Sequence, residues 1–341
     1  MDAMSRVPAV AQAKTLIVVA IVTLVTLAAW EWHLRAENLG EQPASPVDVA
    51  VDRVRAPAPE GSRRIVVLGS SRAQFGISPT IVQNELGKNW EVRNAALSYG
   101  NGFAQLHASL DWFEAGDVIV VECLPFTCFT GYRTELELAF ERDARDSGIG
   151  PAERLLTAPI KQHLLLARGQ TVPSDALRDA VRGGVGVDAS VGDPAAESNN
   201  ITTHPDGWLE YTGGFNHELA AAVLADLTTH TFDDRDARLT RALRTLRDDL
   251  QTLNERGVAV LFVRLPSEGE YARQEERLFP RASYWNRLER EAPGRCWHFA
   301  DFAATRNLTT LDHTHLPSRS AKTYSRWLGL KLRQFVESED R

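Results

Sequence analysis

Two short stretches near the ends of this chain hold residue types that could together do nucleophilic chemistry. Gly69-Ser70-Ser71 follows an apolar run, Ile65-Val66-Val67-Leu68, and Asp312-His313-Thr314-His315-Leu316 lies shortly before the C-terminus. A serine hydroxyl attacks poorly until a base takes its proton, and the base needs a carboxylate to orient it. Serine, aspartate and histidine occur here in the order Ser…Asp…His. Asp312 and His315 are three residues apart, so a single helical turn would put both on one side. Ser71 is the expected nucleophile, His315 the base and Asp312 its orienting acid. Ser70 is the second choice for nucleophile and His313 the fallback base. Serines at such a point also cap the next helix.

These residues meet only if the fold carries the C-terminus back to the end of the first strand. The pattern between them suits that. Residues 64–69 read as a buried strand, and Ser78-Pro79 opens a helix running to Leu86, with proline at its first position. Strand 90–94, helix 102–114 and strand 117–122 follow. Further on come an amphipathic helix over 239–256, apolar strands at 258–265 and 297–302, and a closing helix over 323–336. Alternation of this kind implies an α/β fold with a parallel sheet covered on both faces. Residues 130–235 break the rhythm. Helical patches at 135–145, 152–166 and 174–181, Gly183-Gly184 and the polar stretch 193–205 read as an insertion on the side where such folds keep ligands.

The two motifs and their strand context resemble the SGNH (GDSL-like) hydrolase superfamily over roughly residues 62–336. Gly69-Ser70-Ser71 would match its Gly-Asp-Ser block, with serine for aspartate, and Asp312-His313-Thr314-His315-Leu316 its Asp-x-x-His-Leu. The nearer resemblance is to membrane-anchored SGNH-like proteins of bacterial cell-surface polysaccharide clusters, which often read Gly-Ser-Ser followed by Arg or Glu, as Gly69 to Arg72 does. That resemblance implies a three-layer, flavodoxin-like parallel sheet. It also implies an oxyanion site in which Gly100, in Asn94-Ala95-Ala96-Leu97-Ser98-Tyr99-Gly100, joins the Ser71 N–H. The family's third donor is an asparagine after the third strand. Here that block reads Glu122-Cys123-Leu124-Pro125, and loss of one such donor typically lowers kcat by ~10²–10³. Arg72 and Arg264 are candidate substitutes. Trp208 and Tyr211 could form a platform for a sugar ring, although a core anchor for a long loop is the commoner use of such a tryptophan.

Composition bounds the rest. The chain has 341 residues and a formal charge of −7, which argues against a nucleic-acid partner. Its three cysteines, Cys123, Cys128 and Cys296, make neither a disulfide framework nor a zinc spacing; one disulfide or three free thiols both fit. His204, His217 and His230 read as solvated, not as ligands. No phosphate loop is present, and no cofactor or metal is implied. Residues 15–30 are uncharged and apolar. That run is shorter than the ~20 residues of a usual span, but Lys14 can snorkel at one end and Trp30, Trp32, His33 and Leu34 extend the other. Arg6 and Lys14 precede it, so residues 1–14 should stay cytoplasmic. The expected plan is a signal anchor over 15–34, with a cleaved signal peptide as the alternative, a proline-broken linker over 35–61, and one domain over 62–341 outside the cytoplasm, in the periplasm or beyond the cell.

The leading expectation is a single-pass O-acyltransferase or esterase acting on acyl esters of a cell-surface polysaccharide. By resemblance, a multi-spanning membrane acyltransferase would supply its acetyl groups. A non-catalytic polysaccharide-binding or assembly component and a simple lipase or esterase are the alternatives.

Overall fold

The computed structural model describes residues 46–131, 200–229 and 234–339, with isolated positions between 19 and 32 and at Leu138 and Phe140. The chain divides into two compact units, residues 1–43 with 148–191 and residues 44–147 with 192–341. Of the first, only the helical positions between 19 and 32 are described. The expected helical patches at 152–166 and 174–181 and the Gly183-Gly184 break lie outside the described residues, as does the patch at 135–145 except for the helical Leu138 and Phe140.

The second unit is built on five parallel strands: β1 (Arg63–Leu68), β2 (Trp90–Asn94), β3 (Val118–Glu122), β6 (Ala259–Arg264) and β7 (Cys296–His298), in the order β2-β1-β3-β6-β7. Two further strands, β4 (Ile201–Thr203) and β5 (Leu209–Tyr211), form a separate antiparallel hairpin. Strand residues alternate between two apolar clusters. Val66, Leu68, Ile119, Val121, Val260 and Phe262 face one; Ile65, Val67, Val118, Val120, Leu261 and Val263 face the other. Both sheet faces are therefore covered, which is why these segments read as unbroken apolar runs. Each fully buried Val, Leu or Ile contributes roughly 1.5–3 kcal/mol.

The first cluster is closed by α1 (Pro46–Arg55), α4 (Gly102–Ala108), α7 (Arg235–Glu255), α8 (Gly269–Leu278) and α9 (Trp285–Glu291). The second is closed by α3 (Pro79–Leu86) and α10 (Ser318–Glu339). Between β1 and α3 lies the short α2 (Ser71–Gly76), after β3 comes the single turn α5 (Pro125–Cys128), and α6 (His217–Thr229) precedes α7. Helix, sheet and helix make three layers.

Helix α1 corrects the expected linker. Proline is tolerated in a first helical turn. After Pro46, Val47, Ala50, Val51 and Val54 fall at the spacing of one helical face and are all buried. Arg64 straps the helix down, donating from Nη1 to the Val54 and Ala56 carbonyls at 2.7 Å each while its head pairs with Asp117. The folded unit thus begins at least at Pro46. The helix expected over 102–114 ends at Ala108 and gives way to a tight 3-10 turn over Leu110–Trp112. The hairpin and α6, within the expected insertion, were not anticipated as elements.

Candidate active site

Helix α10 brings the segment before it to the end of β1. It packs along α3, and Gly329 permits the approach, since a Cβ there would meet Glu85 Cβ at 2.7 Å. The Ser78 N–H donates to Ser325 Oγ at 2.9 Å, fixing α10 to the turn after α2. The segment 311–317 is thereby held over α2. From the other side, Glu210 of β5 accepts Lys322 Nζ and Ser318 Oγ, both at 2.6 Å, and meets His204 at 3.0 Å. The Lys322 ammonium and Ser318 hydroxyl hold the Glu210 carboxyl down at about 2.

Ser71 is the first residue of α2, directly past the end of β1, and Ser70 is the N-cap, its hydroxyl accepting the Arg72 N–H at 3.3 Å. The capping use expected of a serine at this point thus falls to Ser70, not to Ser71. His315 Nε2 lies 2.8 Å from Ser71 Oγ, and His315 Nδ1 lies 2.6 Å from Asp312 Oδ2. Asp312 Oδ1 accepts the N–H groups of His315 at 2.8 Å and Thr314 at 2.9 Å, and the Thr314 hydroxyl at 3.0 Å. The Phe75 ring stands edge-on to the imidazole at 5.1 Å. A carboxylate accepts only. Nδ1 therefore carries the proton, and Nε2 is left to accept from the serine.

Asp312 is fully buried. Burial alone would push its carboxyl up, but the adjacent His315, bonded through ring and backbone, and the Thr314 N–H hold it at about 2. Its folded value is depressed below the ~3.9 of an unfolded chain. Its contribution to stability is therefore present above about pH 4 and lost as pH falls through about 2, amounting to roughly 2 kcal/mol. Denaturation midpoints measured from pH 5 down to pH 2 should fall more steeply for the native chain than for an Asp312→Asn variant. Parallel slopes would contradict this assignment.

The remaining expectations divide. His313 has φ +76°, and its ring lies against Gly269 and 5.1 Å from Phe215, away from Ser71. It is not the base in this arrangement. Gly100 does not offer an oxyanion donor, because its N–H is taken by the Leu97 carbonyl at 2.8 Å. It is glycine for a packing reason: a Cβ would run into the Gly69 carbonyl. Arg72 does not face the cleft either. Its buried guanidinium turns inward, with Nη2 3.5 Å from Glu275 Oε1 and the head 5.2 Å above the Tyr271 ring. Arg264, also buried, pairs with the other Glu275 oxygen and donates to the Leu265 carbonyl at 2.9 Å. Both arginines are thus committed to the interior, since a buried charge must find its partner.

Trp208 and Tyr211 form no platform. Trp208 is buried, donates from Nε1 to the Phe75 carbonyl at 2.9 Å and stacks on His204; Tyr211 packs with Phe75 and Leu311. They anchor the hairpin beneath the segment 311–317. His217 is exposed, His204 is paired with Glu210, and His230 lies outside the described residues. All three cysteines are free. Among the described residues no group of three metal-ligating side chains gathers.

Sequence reasoning missed two residues at the site, Glu122 and Gln105. Both are fully buried, and both bond to the turn that carries Ser71. The available signal was an acidic residue closing the apolar run Val118–Val121.

No protein-family model matches this chain, and no curated protein matches its sequence.

Proposed function

We propose that the chain is a membrane-anchored serine O-acyltransferase or esterase of SGNH-like, flavodoxin-like fold, acting on acyl esters of a cell-surface polysaccharide. The observation that carries this reading is the relay Ser71–His315–Asp312, with its 2.8 and 2.6 Å links, at the C-terminal edge of a doubly wound sheet, where α/β folds bind ligands. In this mechanism Ser71 Oγ attacks the ester carbonyl carbon as its proton passes to His315 Nε2. The Ser71 N–H, at a helix start where no intrahelical acceptor exists, faces the developing oxyanion. Collapse expels the donor alcohol, which takes the proton from His315. A sugar hydroxyl or water then attacks the acyl-serine, with His315 again as base. Transfer to sugar, and an acetyl supply from a multi-spanning membrane acyltransferase, rest on the resemblance of the motifs.

The anchor reading is supported by Val19, Ile21, Val22, Val25 and Trp32, all helical and largely exposed. Among the described residues no helix is long and apolar enough to cross a membrane, and the expected span 15–34 lies mostly outside them. One observation favours the non-catalytic polysaccharide-binding alternative: with the Gly100 N–H engaged and no asparagine after β3, Ser71 N–H is the single oxyanion donor identified among the described residues.

One labelling experiment tests both parts of the proposal. A membrane-impermeant, serine-reactive phosphonate applied to spheroplasts should modify Ser71, and Ser71→Ala should remove the label without altering the fold. Label appearing only after lysis would overturn the location. No label before or after lysis would overturn the catalytic reading in favour of the binding component.

A further inference from the structure

The Gly69-Ser70-Ser71 turn requires glycine at its first position. Gly69 has φ +145°, and a Cβ there would meet Glu122 Cβ at 2.6 Å and Oε2 at 2.9 Å. Glycine reaches this conformation without steric cost but is also free to leave it, so neighbouring groups must select it. Two side chains do so here. Gln105 brackets Gly69, accepting its N–H at Oε1 (2.8 Å) and donating from Nε2 to its carbonyl (3.1 Å). Glu122 brackets Ser70: its Oε2 accepts the backbone N–H at 2.9 Å and the hydroxyl at 2.7 Å. Each backbone polar atom of Gly69 and Ser70 is thus tied, and the Ser71 hydroxyl is left to His315.

From this geometry we infer that Glu122 and Gln105 are positioning residues, a clamp that sets Ser71 Oγ at bonding distance from His315; the inference rests on the catalytic reading above. The clamp favours a carboxylate at 122. One oxygen accepts two donors, and charge-assisted bonds of this kind are about twice as strong as neutral ones. The countercharge is at hand, since Glu122 acts electrostatically on Arg72 of the same turn. Glu122 Oε1 and Arg72 Nη1 are both buried without a hydrogen-bond partner among the described residues. Glu122, the last residue of β3, holds the nucleophile turn from behind.

Phosphonate labelling of the full chain, followed as a saturable rate, tests this. Glu122→Gln and Gln105→Met should keep the wild-type fraction of labelled Ser71 at completion and the wild-type half-saturating concentration. Their limiting rate should fall about 100-fold, as expected for a nucleophile misplaced by about 1 Å. Gln105→Met removes no charge, so it decides the matter if Glu122→Gln does not fold. A merely structural role predicts the opposite split, with a smaller labelled fraction reacting at the wild-type rate, and that result would overturn the clamp. Wild-type rates in Gln105→Met would overturn it too. An unlabelled wild type would overturn the catalytic reading itself and take this inference with it.

Discussion

An Asp312→Asn variant should fold, bind ester substrate with little change in KM, and lose about 10⁴-fold in kcat, the scale reached when a triad histidine is held in the wrong tautomer. The reason lies in which atoms donate. The backbone N–H groups of Thr314 and His315 point at Asp312 Oδ1. An asparagine must therefore keep its carbonyl there and turn its amide nitrogen toward His315 Nδ1. That nitrogen donates, so Nδ1 must accept, and the ring proton moves to Nε2. Nε2 then faces Ser71 Oγ as a donor and cannot take the serine proton. The local hydrogen bonds survive while the base is disabled. Steady-state turnover of an activated acetyl ester measures the effect. A variant within tenfold of wild type would sink the triad assignment, whatever the distances.

The second large effect concerns stability. Glu275 is buried between two buried arginines, its oxygens shared by Arg72, Arg264 and the Ser267 hydroxyl, the last at 3.0 Å. Burial and the neighbouring Arg72 charge already depress Arg264, with Glu275 acting against them. Glu275→Ala leaves two guanidinium groups in the interior with no anion between them. Breaking one such pair typically costs 3–5 kcal/mol. For a unit of this size the loss corresponds to a Tm drop on the order of 10 °C. Because Arg72 belongs to α2, the same change should loosen the nucleophile turn and slow Ser71 labelling well below the melting temperature. Thermal and urea denaturation of the variant check the first part. A loss under about 1 kcal/mol would show that the arginines find other partners, contrary to the network described.

The two predictions separate what the chain's order of residues dictates from what its folding adds. Apolar strand runs, proline and serine at helix starts, and the Asp-x-x-His spacing are local patterns, and local patterns are legible. The strands at Ile65–Leu68, Trp90–Asn94 and Val118–Glu122 and the helix after Pro79 fall where those patterns place them. Ser71, Asp312 and His315 were identifiable by residue type and order. The expected linker is a helix over Pro46–Arg55 because proline breaks a helix only in its interior: Pro46 can start one, and the four apolar residues after it need only a surface to bury against. That surface belongs to the rest of the domain and is invisible locally.

Side-chain direction was the other thing hidden. Arg72 and Arg264 are expected in the cleft because the first adjoins Ser71 and the second ends a strand. Only the packed structure shows a buried Glu275 claiming both. Gly100 looked like a donor, and only the turn geometry spends its N–H on Leu97. Glu122 and Gln105 carry no sequence signature as partners of Ser70 and Gly69, since neither is near them in the chain. The sequence by itself determined the α/β class, the strands β1, β2, β3 and β6 and the residues of the relay. Tertiary structure decided which of two histidines meets Ser71, where the arginines turn, and what holds the Ser71 turn in place. Those outcomes depend on hydrogen bonds and charge pairs between distant segments, and their energies exist only once burial has removed the water that would otherwise satisfy each group alone.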